Sequence, residues 1–275
     1  MTQLLRIAYS PDADDAFMYW ALEQGLVSRP GLELELVTGD IESLNRQAAS
    51  GELDVTAISF AAWPRLKERY DLLTVGSSFG IGQGPKLVSV EPMGMEDVGT
   101  TPVLVPGLNT TACLLVRLLF PGVEVEEEVF DAIPQRLLDA PERAGVVIHE
   151  SQLTYEDEGL RLVKDLGVAW SELTGLPLPL GANAISRSLS SEVVADFAAL
   201  LRESIELAWE NKDEALASAL RFGRGLDDET GERFVAAYVN ELSLDAGEKG
   251  REAVAELYRR ASEAGCWDEV EARWA

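Results

Sequence analysis

A single histidine, His149, among 275 residues leaves the chain with almost nothing that titrates near neutrality in its ordinary state. Only two cysteines are present, Cys113 and Cys266, far apart and without CxxC spacing. That argues against a disulfide framework, a dithiol redox motif and a transition-metal cage, and suits two reduced thiols in a cytoplasm. Basic residues are scarce, with 23 Lys and Arg against 48 Asp and Glu and a formal charge of −25. Such a surface repels phosphate backbones and anionic lipid, so neither nucleic acid nor membrane is an expected partner. No stretch approaches the ~20 apolar residues of a spanning helix. The N-terminus turns acidic at Asp12 before a secretory signal develops, and a cytoplasmic protein is expected.

The carboxylates are dispersed, the longest run being Glu126-Glu127-Glu128, as on a solvated surface. With 47% hydrophobic residues the chain can build a core, and its length favours two lobes over one. Strand patterns alternate with helical ones to about residue 188, and helices follow. Leu4 to Tyr9 predicts a strand, Ser10 to Asp14 a capping turn, and a helix runs from near Asp15 to Gln24. Leu32 to Thr38 alternates apolar and acidic residues, Asp40 caps a helix, and Val55 to Ile58 is a short buried strand ending at Ser59, a candidate cap for the helix carrying Trp63. After a strand at Leu72 to Val75 comes a loop with four glycines between Gly76 and Gly84. It is no phosphate loop, because Pro85 removes a backbone donor and no helix follows.

A second βα series comprises Val103 to Val105, the turn Pro106 to Thr111, a helix from Ala112 to Phe120, a strand at Val125 to Phe130, a helix at Ile133 to Leu138, and a strand from Ala144 to Ile148 that ends at His149. Pro177 to Ile185 reads as a return passage. Helical periodicity then covers Val193 to Asn211, Asp213 to Phe222, Asp228 to Leu242 and Ala246 to Ala264. The expected architecture is an α/β clamshell, each lobe a mixed sheet flanked by helices, with a helical C-terminal segment. Residues 1–92 and 182–275 form lobe one, 93–181 form lobe two, and two crossings make a hinge.

In each lobe an early strand ends in a turn and a helix N-terminus, and a later strand ends in a polar residue, Ser59 or His149. Strand ends and helix starts converge there on one crevice suited to a small anion such as a carboxylate. Ser59, Thr110 and Thr111 also read as plain caps, and a lone histidine as one satisfied by its neighbours. Calcium is rejected: Asp12 to Glu23 has EF-hand length, but Phe17 stands where the loop needs glycine. Any chemistry is expected to rest on proton transfer by His149, without metal or cofactor. A neutral imidazole near its ~6.5 reference pKa accepts a proton at pH 7. Glu150 orients or caps only if the chain turns at that point.

Five segments carry a resemblance: Ser10 to Met18, Gly82 to Val88, Pro106 to Ala112, Val147 to Glu150, and Leu178 to Asn183. Together they resemble the 1,4-dihydroxy-6-naphthoate synthases of the futalosine route to menaquinone, through most of residues 4–187, while the helical C-terminus is generic. The resemblance implies a type-2 periplasmic-binding-protein fold used as a cytoplasmic lyase on cyclic dehypoxanthinyl futalosine, a small-molecule carboxylate, in a monomer or homodimer. It implies His149 as general base and substrate contacts at Ala57, Ile58, Ser59, Thr111 and Ala112; Thr110, Ser10, Asp14 and Asn183 join them as neighbours in the same motifs. Ala13 stands where the family more often has threonine. Two rivals share the architecture: a non-catalytic receptor for a small organic acid, and the sister chorismate dehydratase, expected to lack the His-Glu strand end.

Overall fold

The computed structural model describes residues 2–221 and 228–275. The chain opens with β1 (Gln3–Tyr9), α1 (Ala13–Glu23), β2 (Leu32–Thr38), α2 (Ile41–Ala48), β3 (Val55–Ser59), a one-turn α3 (Trp63–Leu66), β4 (Tyr70–Leu72) and β5 (Ser78–Gly80). It continues with β6 (Lys86–Ser89), β7 (Val103–Val105), α4 (Thr111–Leu119), β8 (Val125–Glu127), α5 (Ile133–Asp139), β9 (Ala144–Val147), α6 (Ser151–Thr154), β10 (Arg161–Asp165) and α7 (Leu166–Thr174). A long β11 (Leu178–Ser186) leads into α8 (Ser191–Glu210), α9 (Lys212–Ala219), α10 (Asp228–Tyr238), α11 (Glu241–Leu244) and α12 (Gly247–Glu263). The helix expected over Asp213 to Phe222 is α9; Phe222 lies outside the described residues.

Two mixed sheets result. The first runs β2-β1-β3-β11-β4, with β5 also on β11, and the second runs β10-β6-β9-β7-β8. β3 is buried along its whole length because it sits centrally between β1 and β11. β2 is an edge strand, and its Leu32, Leu34 and Leu36 alternate with more exposed glutamates. The opposite edge, β4, is covered by the C-terminus: Leu72 N–H donates to the Arg273 carbonyl at 2.8 Å, and Ala275 N–H to that of Leu72 at 2.8 Å.

The strands change sheet between Gly80 and Lys86 and again between Thr174 and Leu178. The first change precedes the boundary expected at 92, because Lys86–Ser89 pairs with β9 and β10. The glycine-rich loop makes this passage possible: a Cβ on Gly167 would lie 2.0 Å from the carbonyl carbon of Gln83, so only glycine lets the loop cross α7 so closely.

Helix α1 buries eight of its eleven residues, including Phe17, Met18, Tyr19 and Trp20. It has no solvent stripe because α8, α9 and α10 pack around it. Burying each such large side chain contributes roughly 1.5–3 kcal/mol. These contacts fix the amino end of α1 at the rim of the first sheet, where the site lies.

Candidate active site

The carboxyl ends of β1, β3, β7 and β9 converge on one cavity. Its lining includes Ser10, Asp14, Ala57, Ile58 and Ser59 from the first-sheet side, and Thr110, Thr111, Ala112 and His149 from the second. Of the ten residues that the sequence nominates, nine are therefore brought together. The tenth, Asn183, is a correction. It is fully buried inside the first sheet, its amide accepting from the Tyr19 hydroxyl at 2.7 Å and donating to the Gly76 carbonyl at 2.8 Å. Strand alternation turns its side chain to the face opposite that of Ala182, which lines the cavity. Lys86 also stays out of the lining, paired with Asp165.

His149 follows β9 by one residue and is the one non-glycine at positive φ, 53°, among the described residues. An L-residue there costs on the order of 1–2 kcal/mol, so the strand's exit is held by its contacts. Nδ1 lies 2.9 Å from Asp12 Oδ2, and Phe130 meets the ring edge-to-face with centroids 5.1 Å apart. The same turn swings Glu150 across the cavity, where its Oε1 accepts from the Ala13 N–H at 3.2 Å and so caps α1 from the opposite side. The chain does turn at this point, and Glu150 caps while Asp12 orients the ring. Asp12 precedes α1 but makes no side-chain cap, because its carboxylate is given to Ser10 and His149.

Two further carboxylates crowd this end. Asp14 accepts from the Ser78 hydroxyl at 2.8 Å and Asp15 from the Ser10 N–H at 3.0 Å. Burial first, then the charge of Asp12, raises the Asp14 carboxyl to about 6; burial, then Asp14, holds Asp15 well above the usual range. For His149 burial is the largest single influence and favours the neutral ring. The charge of Asp12, its hydrogen bond, and the charges of Glu150 and Asp14 together outweigh it and raise the imidazole to about 9. The balance favours the imidazolium over the neutral ring that the reference value suggests.

The other end is built differently. Asn45 on α2 accepts from the Ser59 N–H at 2.8 Å and donates to Ser59 Oγ at 3.1 Å, which fixes the serine at the rim instead of leaving it to cap α3. Thr110 does cap its helix, accepting from the Cys113 N–H at 3.1 Å, and Thr111 Oγ1 donates to the Leu180 carbonyl at 2.8 Å. Thr111 and Ala112 open α4, so the helix cannot satisfy their N–H groups itself, and both residues line the cavity. Glu42 holds this turn in place, accepting from Asn109 N–H at 3.1 Å and Nδ2 at 2.6 Å. One end of the cavity thus offers the N–H groups of Thr111 and Ala112 and the Ser59 hydroxyl, the Thr110 and Thr111 hydroxyls being donated to the Gly107 and Leu180 carbonyls, and the other a histidine among carboxylates. Aliphatic side chains, among them Ile41, Ile58, Ile148 and Leu180, lie between.

Sequence reading missed Asn45, Gln152, Phe234 and Tyr238. The last two come from α10, within the segment that reads as generic helix, and no local pattern separates a cavity-facing aromatic from a core one.

A curated 1,4-dihydroxy-6-naphthoate synthase of Thermus thermophilus is 38% identical over 263 residues, 96% of each chain. A crystal structure of an Archaeoglobus fulgidus protein, 44% identical, superposes with a TM-score of 0.92 over 96% of this chain and 98% of that one. The periplasmic aliphatic sulphonate binding protein of Escherichia coli, only 10% identical, reaches a TM-score of 0.66 over 99% of this chain and 94% of that one, so the fold is periplasmic-binding-protein-like. A family model described as menaquinone biosynthesis matches residues 5–263, which include every residue placed around the cavity, and the chain belongs to that family.

Proposed function

We propose that the protein is a 1,4-dihydroxy-6-naphthoate synthase, a lyase acting on cyclic dehypoxanthinyl futalosine in the cytoplasm, with His149 moving a proton at the reacting carbon. The observation that carries this reading is the placement of His149 at a strained strand exit, oriented by Asp12 at 2.9 Å, inside the cavity. A satisfied structural histidine needs neither the strain nor the cavity. The substrate carboxylate goes to the donor end at Ser59, Thr110, Thr111 and Ala112, since the four carboxylates at the other end repel it. That places the reacting carbon toward His149.

The imidazole must lose its second proton before it works as a base, so substrate binding or rising pH sets the active fraction. Enclosure between the two sheets keeps water from competing for the proton. The lobes, near the expected 1–92 with 182–275 and 93–181, close over the ligand, held by Glu150 on α1 and Glu42 on Asn109. No cofactor enters this scheme. Separate incubations with cyclic dehypoxanthinyl futalosine and with chorismate test it. Naphthoate absorption from the first alone is expected; turnover of chorismate, or recovery of both compounds unchanged, overturns it.

A further inference from the structure

Besides the His149 imidazole, the described cavity lining contains two aromatic rings, both from α10: Phe234 and Tyr238. They are 2% and 4% exposed, and their centroids lie 4.9 Å apart at 54°. The Tyr238 hydroxyl donates to Gln152 Oε1 at 2.6 Å, so it is already committed and what the residue offers a ligand is carbon surface. Gln152 is three residues beyond His149 in the chain, and it too is buried. The hydrogen bond therefore fixes the aromatic pair relative to the imidazole. The remaining apolar lining is aliphatic, so apart from the His149 imidazole, face-to-ring contact with a ligand is available at α10.

We propose that Phe234 and Tyr238 form a stacking wall that selects fused-ring aromatic acids over single-ring ones. The Tyr238 to Gln152 bond sets its distance from His149. This rests on the naphthoate reading and extends it, because it assigns the choice of ring system to the C-terminal helices. A fused bicycle offers the wall a larger face to stack on than a single ring does. Each aromatic stack lost weakens a ligand by about 2- to 12-fold.

Titration calorimetry with 2-naphthoate and benzoate tests the wall without turnover. Wild type is expected to bind 2-naphthoate at least about fivefold more tightly than benzoate. Phe234→Met and Tyr238→Leu are expected to bring the two ligands within about twofold while leaving benzoate affinity unchanged. Tyr238→Phe keeps the ring and is expected to keep the preference, which separates stacking from the hydrogen bond and guards against a variant that folds poorly. Equal binding of both acids by wild type, binding of neither, or a preference that survives both ring removals overturns the proposal. Turnover of cyclic dehypoxanthinyl futalosine by wild type, measured in parallel, tests the naphthoate reading separately. Turnover with an unaltered preference sinks the wall alone, and lost preference without turnover sinks the reading alone.

Discussion

Asp12 and His149 come from opposite sheets and meet at 2.9 Å across the cavity, so one contact both orients the imidazole and ties the two sides together. Its first consequence is for the pH dependence of catalysis. A base must be neutral to act, and with the ring raised to about 9, kcat/KM is expected to climb with pH toward that value. Asp12→Asn removes the main stabiliser of the imidazolium. The ascending limb is then expected to move down toward the ~6.5 of an ordinary histidine. Because His149 is the only histidine, its ring proton resonances report the same titration without ambiguity.

The positive φ of His149 predicts an ordering of variants. His149→Gly and His149→Ala lose the same pairing with Asp12, but only alanine retains the strained backbone. The glycine variant is expected to be more stable by about 1 kcal/mol in urea denaturation. Equal midpoints would show that the turn carries no strain.

Asp14 is held above its ordinary pKa, to about 6, so the folded protein binds its proton more tightly than the unfolded chain does. The associated stability is fully present below about pH 4 and is lost as pH rises through 6. Asp14→Asn removes that loss. At pH 7 the ligand-free variant is expected to gain on the order of 1–3 kcal/mol, and at pH 4 almost nothing, with thermal unfolding at both pH values as the measurement.

Asn45 grips Ser59 by two hydrogen bonds and does not itself line the cavity. Asn45→Ala is expected to raise KM several-fold with little change in kcat, because it loosens a ground-state contact. An equal fall in kcat would place Ser59 in the chemistry instead.

The βα rhythm, the caps at Asp40 and Thr110, and the strand ends at Ser59 and His149 were legible because each rests on local patterns of burial and hydrogen bonding. The charge state of His149 was not, since it depends on carboxylates brought from residues 12 and 14, over 130 positions away in the chain. Asn183 misled for a related reason. Its neighbour Ala182 lines the cavity, but alternation along β11 turns the Asn183 side chain to the opposite, buried face, where it meets Tyr19. Glu150 became interpretable only through the backbone turn at His149, which no residue type announces.

The most direct measurement is the rate of naphthoate formation from cyclic dehypoxanthinyl futalosine by wild type and by His149→Ala, with ligand binding checked in both. Product from wild type and a fall of roughly 100- to 10,000-fold in a variant that still folds and binds is the expected result. Undiminished turnover by His149→Ala would contradict the account.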